Sequence, residues 1–191
     1  MEAEIFNKFD IVFKVRTELN KESDRGACLM VASYLERELE DLIFKKLVGS
    51  NNHKKELFKF NGPLGTFSAK IKLAFSLGFI SKECLQDLEI IRGIRNLFGH
   101  NFEPISFETD EIKKEVDKLK SHFYPEKEKS SRSIFFNTFT AVLAEVHYCE
   151  NIIFPFVERT KSIFQSNEEK AKRRKQIEEV VSAIVKPILD R

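Results

Sequence analysis

Apolar residues three and four apart, opened by Ser, Thr or Asp and closed by Gly, recur along almost the whole chain and leave room for little but helices. After Ser23 or Asp24, residue types that cap helix N-termini, Met30, Val31, Tyr34, Leu35, Leu42, Ile43 and Leu47 share one face, and Gly49 supplies a stop. Ile5, Phe9, Val12 and Phe13 mark a helix ending near Asn20. Phe67, Ile71, Ala74 and Phe75 mark another that ends at Gly78. Ser81 caps a third whose buried face is Leu85, Leu88, Ile91, Ile94 and Leu97 or Phe98, with Gly99 closing it. No stretch alternates apolar and polar residues with a strand's period, and 7 Gly and 5 Pro in 191 residues are too few for a turn-dense sandwich or barrel. The expected fold class is all-α, an up-and-down helical bundle.

Thr109, followed by Asp110 and Glu111, opens a helix through Ile112, Val116, Leu119 and Phe123 that stops before Pro125. Phe135, Phe139, Val142, Leu143, Val146, Cys149, Ile153 and Phe156 mark a long helix that Pro155 should kink. Between these elements, Ser50 to Lys55 reads as a polar loop and Pro125 to Ser133 as a solvated one. Asn61-Gly62-Pro63-Leu64-Gly65 must turn, because Gly and Pro continue a helix at a cost. Gly62 to Gly65 is no phosphate loop, since it lacks GxxxxGK[ST] and follows no clear strand. The expected organisation is a bundle over residues 1–165 and an appended basic amphipathic helix over 166–191.

With 42% hydrophobic and 32% charged residues the chain can bury a core, which excludes a disordered protein. No apolar run approaches the ~18 residues that cross a bilayer. Met1-Glu2-Ala3-Glu4 is acidic where a secretory signal is basic, so a cytoplasmic protein without membrane contact is expected. Cys28, Cys84 and Cys149 sit in apolar helical patterns, as reduced core residues. His53, His122 and His147 lack Cys or carboxylates at ligand spacing, so they read as surface or capping residues, and neither metal nor cofactor is expected. Glu36, Glu38, Glu40 and Asp41 read as a solvated face. A net charge of +2 confines any nucleic-acid contact to a local patch.

Arg95-Asn96-Leu97-Phe98-Gly99-His100 carries the most chemistry. If the helix breaks at Gly99, His100 turns back toward Arg95, and a guanidinium, an amide and an imidazole surround one helix end. Arg can fork onto two phosphate oxygens, and His exchanges protons near neutral pH. A ribose 2′-OH attacks its own phosphodiester without a metal if one group removes its proton and another protonates the leaving 5′ oxygen. One motif supplies one His, so a second copy across a two-fold axis would complete the site, and a homodimer is implied. The plainer alternative is a helix-capping histidine beside a surface arginine in a salt bridge.

Asn61 to Ala74, Leu77 to Ser81 and Asp87 to His100 resemble the mannitol operon repressor family of bacterial proteins, continuously from about Arg25 to Arg159. Arg95-Asn96, three residues, His100 also resembles the RNxxxH signature of the HEPN superfamily, all-α dimers that include many metal-independent ribonucleases of toxin–antitoxin and phage-defence systems. That resemblance implies an endoribonuclease with His100 as general acid or base, Arg95 stabilising the phosphorane and Asn96 positioning the scissile group, acting on RNA and held by an antitoxin or regulatory protein partner. Phe102 stands where many HEPN toxins carry a modifiable Tyr. The repressor resemblance implies instead a non-enzymatic regulator acting through a protein partner or ligand, and no helix-turn-helix with a basic recognition helix is visible. In the tail, Lys170, Lys172, Arg173, Arg174 and Lys175 form the strongest basic patch, an RNA-binding surface or a solvated face offset by Glu168, Glu169, Glu178 and Glu179. Ile177, Val180, Val181, Ile184 and Ile188 form an apolar face that favours docking on the bundle or on a second copy.

Overall fold

The computed structural model describes residues 15–122, 130–159 and 166–189, with 184–189 as backbone only. Its helices are α1 (Asp24–Lys46), α2 (Asn51–Phe58), α3 (Phe67–Ser76), α4 (Lys82–His100), α5 (Asp110–Val116), α6 (Ser131–Ile152) and α7 (Asn167–Leu189). Among the described residues there is no strand, so the all-α expectation holds. Residues 15–19 are helical, and the rest of the helix expected from Ile5 lies outside the described residues. The chain divides between Phe156 and Val157 into two compact units.

In the first unit α1 packs on α3, α4 and α6, and α4 packs on α3, α5 and α6. Most of the faces read from spacing are the faces that meet, but Met30, Phe75 and Phe156, placed on them from spacing, are exposed. Leu35, Leu39, Leu42 and Ile43 of α1, Leu88, Ile91, Ile94 and Phe98 of α4, and Phe135, Phe139 and Leu143 of α6 are all fully buried. Each such side chain removed from water contributes about 1.5–3 kcal/mol. Phe107, in the segment after α4, is wedged against Phe98 and Phe135 with ring centroids 5.2 and 5.0 Å apart.

The N-termini are fixed by side-chain caps. Ser23, Ser50, Thr66, Ser81 and Ser130 accept from the backbone N–H of Gly26, His53, Ala69, Cys84 and Ser133. Each occupies a donor that the first helical turn would otherwise leave unpaired, at about 1 kcal/mol. The Ser50 cap corrects the reading of Ser50 to Lys55 as a loop: it starts α2, which fully buries none of its residues and so leaves no apolar stripe to read. Asn61 to Gly65 does turn, and the glycines are needed there. A Cβ on Gly62 or Gly65 would come within 2.4 Å of the Leu57 or Lys59 carbonyl oxygen. Gly78 takes φ +70°, the left-handed stop expected after α3.

Three helix ends differ from expectation. α4 does not break at Gly99 but runs to His100 with Asn101 as C-cap. No positive φ occurs at Gly99, because glycine in helical conformation is permitted as well as glycine in a turn. α5 stops at Val116, short of Phe123, because the buried Asp87 carboxylate takes the backbone N–H groups of Lys120 and Ser121 that a longer helix would use. α6 ends at Ile152, so Pro155 lies beyond it and kinks nothing. Lys46, at the end of α1, sets this boundary: its ammonium donates to the carbonyls of Glu150 and Ile153, and its own carbonyl accepts from Phe156 N–H at 2.9 Å.

The second unit holds α7. Ser166 and Glu169 form a reciprocal capping box, Ser166 Oγ accepting from Glu169 N–H at 3.1 Å and Glu169 Oε2 from Ser166 N–H at 3.0 Å.

Candidate functional site

Ser81 starts α4 and is itself held by Glu145 of α6, whose carboxylate accepts from both its N–H (2.6 Å) and its hydroxyl (3.1 Å). With Ile91, Ile94 and Phe98 fully buried, the helix is fixed in rotation, and that decides where the motif residues lie. Arg95 is exposed and donates through Nη1 to Asn96 Oδ1 at 3.1 Å. His100 is exposed at the helix end. Five residues along an unbroken α-helix are ~7.5 Å of rise and ~140° of rotation. Arg95 and His100 therefore leave α4 on different faces, and the convergence expected from a break at Gly99 does not occur within one chain.

The segment after α4 is held firmly. Arg25 of α1 donates through Nη2 to the carbonyls of Asn101 (2.8 Å) and Glu103 (3.0 Å), and Asn101 Oδ1 accepts from Glu103 N–H at 3.0 Å. Asp24 accepts from Phe107 N–H at 2.8 Å and is ion-paired with Arg132 of α6. This bracing builds an open depression of about 630 Å³ lined by Asn96, Leu97, His100, Phe102, Glu103 and Glu111. Arg95 is not in its lining. With Glu103 and Glu111 in its wall, the depression repels a phosphate more than it attracts one. What it offers is the wholly exposed ring of Phe102 with a polar, acidic rim, the arrangement of a protein-contact anchor.

A second depression, of about 580 Å³, is lined by Lys72, Lys118, Lys120 and Glu89 over Leu85 and Ile90 and contains none of the candidate site residues Arg95, Asn96 and His100. Lys170, Lys172, Arg173, Arg174 and Lys175 are all exposed on α7. Among the described residues no cluster of His, Cys, Asp or Glu could hold a metal ion, and no helix is long and apolar enough to cross a membrane. Cys28 and Cys84 are buried, Cys149 is half-buried, and all are free thiols. Burial pushes the Cys28 and Cys84 thiols well up, so neither is a ready nucleophile.

Of the acidic stretch of α1, Glu36, Glu38 and Glu40 are paired rather than solvated as expected, while Asp41 is exposed. Lys70, almost fully buried on α3, sits 2.9 Å from Glu36 and 2.7 Å from Glu40. Glu38 Oε2 lies 2.8 Å from His147 Nε2 on α6, and both side chains are largely covered, so His147 is neither a surface nor a capping residue. Burial opposes ionisation of Glu38, but hydrogen bonds with His147 and Tyr34 and the charge of His147 outweigh it and hold the carboxyl below its ordinary range. Burial and the same carboxylate push Tyr34 up to about 12. Lys70 was detectable: it lies three residues after Phe67 on the buried stripe of α3, where a lysine needs partners.

The model of the family described as Mannitol repressor matches residues 39–133. The mannitol operon repressor of Escherichia coli (strain K12) is 35% identical over 52 residues, 27% of this chain and 27% of that protein. Over residues 39–133, 95 in all and just under half of its length, the chain is similar to the mannitol repressor family. The mannitol operon repressor of Escherichia coli O6:H1 gives the same figures, so in each case the match spans about a quarter of the relative's length. An X-ray structure of the MtlR–HPr complex from Escherichia coli matches with a TM-score of 0.55 and 20% identity, over 71% of this chain and 97% of that one. At that identity the likeness speaks for the fold. The mannitol repressor match takes in all of α4 and the Phe102 depression.

Proposed function

We propose that this chain is a non-enzymatic regulator of the mannitol repressor type that acts by binding a protein partner, and that the partner is HPr or a protein like it. The observation that carries this reading is the fold match to an MtlR chain caught in complex with HPr, which takes in 97% of that chain. The Phe102 depression supports it from the chain's own side, because an exposed aromatic ring on a braced segment with a polar rim suits a protein surface better than a phosphodiester. A low net charge of +2 and the acidic rim fit control of transcription through a partner rather than by coating DNA.

An endoribonuclease built on Arg95, Asn96 and His100 has the sequence motif in its favour. The continuous α4 would then require Arg95 of one copy to meet His100 of another. Two measurements separate the readings: calorimetric titration of the chain with HPr, and incubation of the chain and of His100→Ala with mixed RNA in chelator. HPr binding with RNA left equally intact by both proteins supports the regulator. Metal-independent cleavage by the wild type that His100→Ala abolishes overturns it.

A further inference from the structure

Gln86, Ile90, Gly93, Leu97 and His100 recur at intervals of four and three along α4, so one face of the helix runs from the lysine-rimmed depression to the Phe102 depression. Gly93 lies midway. It has no positive φ, and apart from its chain neighbours and its own helix backbone a Cβ there would meet no atom within 4 Å, so nothing in the chain's own packing calls for glycine. Inside a helix glycine is less favourable than alanine, and what it allows is close approach from outside. The two ends of the face carry opposite, uncompensated charge. Glu89 is tied to Arg92 at 2.7 Å and Lys118 to Glu115 at 2.6 Å. Among the described residues Lys72 and Lys120 enter no ion pair, Lys120 reaching only the neutral Gln86 Oε1 at 3.1 Å, and at the other end Glu103 and Glu111 enter none either. On α5 between these ends, Lys114 and Asp117 line neither depression.

We propose that the protein partner lays one segment along this face of α4, acidic over Lys72 and Lys120, close-packed on Gly93 and basic beside Glu103 and Glu111. This rests on the protein-partner reading of the Phe102 depression and extends it to the lysine end, whose opposite charge fixes the direction of the segment. Ile90 and Leu97, both half-buried, flank Gly93, so the middle of the contact is apolar and its ends are charged, the anatomy of a protein interface. A nucleic-acid strand would be held at the lysine end and repelled by Glu103 and Glu111. A second copy laid antiparallel would also bring unlike charges together, but it would cover Phe102, the anchor assigned to the partner.

Calorimetric titration of the full chain with HPr, beside sedimentation of the chain alone, tests this. Gly93→Leu fills the close approach and weakens HPr binding at least about tenfold, while its melting temperature falls no lower than that of the wild type, because leucine is the better helix former and its Cβ meets nothing in the chain. Lys72→Glu combined with Lys120→Glu also weakens binding at least about tenfold, whereas Lys55→Glu, the same change of charge on exposed α2, leaves it within about twofold. HPr binding that Phe102→Ala weakens but that Gly93→Leu and the lysine pair leave unchanged overturns this inference and leaves the partner reading standing. No HPr binding at all overturns both. A chain that dimerises alone and is dissociated by Gly93→Leu overturns the inference too, since the face then belongs to a second copy.

Discussion

Asp87 and Ser121 are joined across the bundle: the fully buried carboxylate of α4 accepts from the Ser121 N–H at 2.8 Å while its other oxygen takes the Lys120 N–H at 2.9 Å. One side chain thus ends α5's chain direction and ties the next segment to α4. Asp87→Ala leaves both N–H groups without their acceptor and should cost about 2–4 kcal/mol of stability, read by urea unfolding. Asp87→Asn keeps one acceptor oxygen and should fall between.

Lys70 with Glu36 and Glu40 locks α3 to α1. Burial alone would lower the Lys70 pKa, but hydrogen bonds and charge from Glu40 and Glu36 outweigh it and raise it above the ordinary 10.5. The folded chain holds that proton more tightly than the unfolded chain, so the stabilisation is complete at neutral pH and is lost as pH rises through the folded value. Lys70→Met should destabilise by about 1–3 kcal/mol at pH 7, since it strands two adjacent carboxylates. The gap to wild type should narrow above pH 10.5.

Glu38 behaves in the opposite sense. Its folded pKa is depressed below 4.5, so its contribution is present above that value and lost as pH falls through the folded one. Glu38→Gln should therefore be less stable than wild type at pH 7, and the two should converge in the acid limb below pH 4.5. Thermal melts at pH 7 and about pH 3.5 check this. A gap that stays constant would remove the His147–Glu38 pair from the stability of the α1–α6 contact.

Signals local in sequence were legible: the Ser23, Ser81 and Gly78 boundaries and most of the buried faces of α1, α4 and α6. What spacing could not show were the contacts that decide ends at a distance, Asp87 on residues 33 and 34 positions away and Lys46 on carbonyls more than 100 positions away. The same holds for Glu38 and His147, 109 residues apart, whose charges look solvated until the helices that bear them are packed. Gly99 misled because glycine signals a stop only when the chain needs positive φ, and Leu29, the nearest side chain, leaves ordinary room for a continuing helix.

Arg95 and His100 are exposed and cap nothing in the core, so Arg95→Ala and His100→Ala should each change stability by no more than about 0.5 kcal/mol. Denaturant midpoints check this. It makes both variants clean probes in the RNA assay, because a lost activity could not be ascribed to unfolding.

The central claim, a regulator that works by binding a protein, is tested most directly by calorimetric titration of HPr into the full chain, beside Phe102→Ala. Saturable binding that Phe102→Ala weakens about tenfold or more, equivalent to about 1.4 kcal/mol, is the result predicted for an anchor in the α4 depression. No heat of binding at any workable concentration, from a chain whose melting temperature shows it folded, would contradict the account.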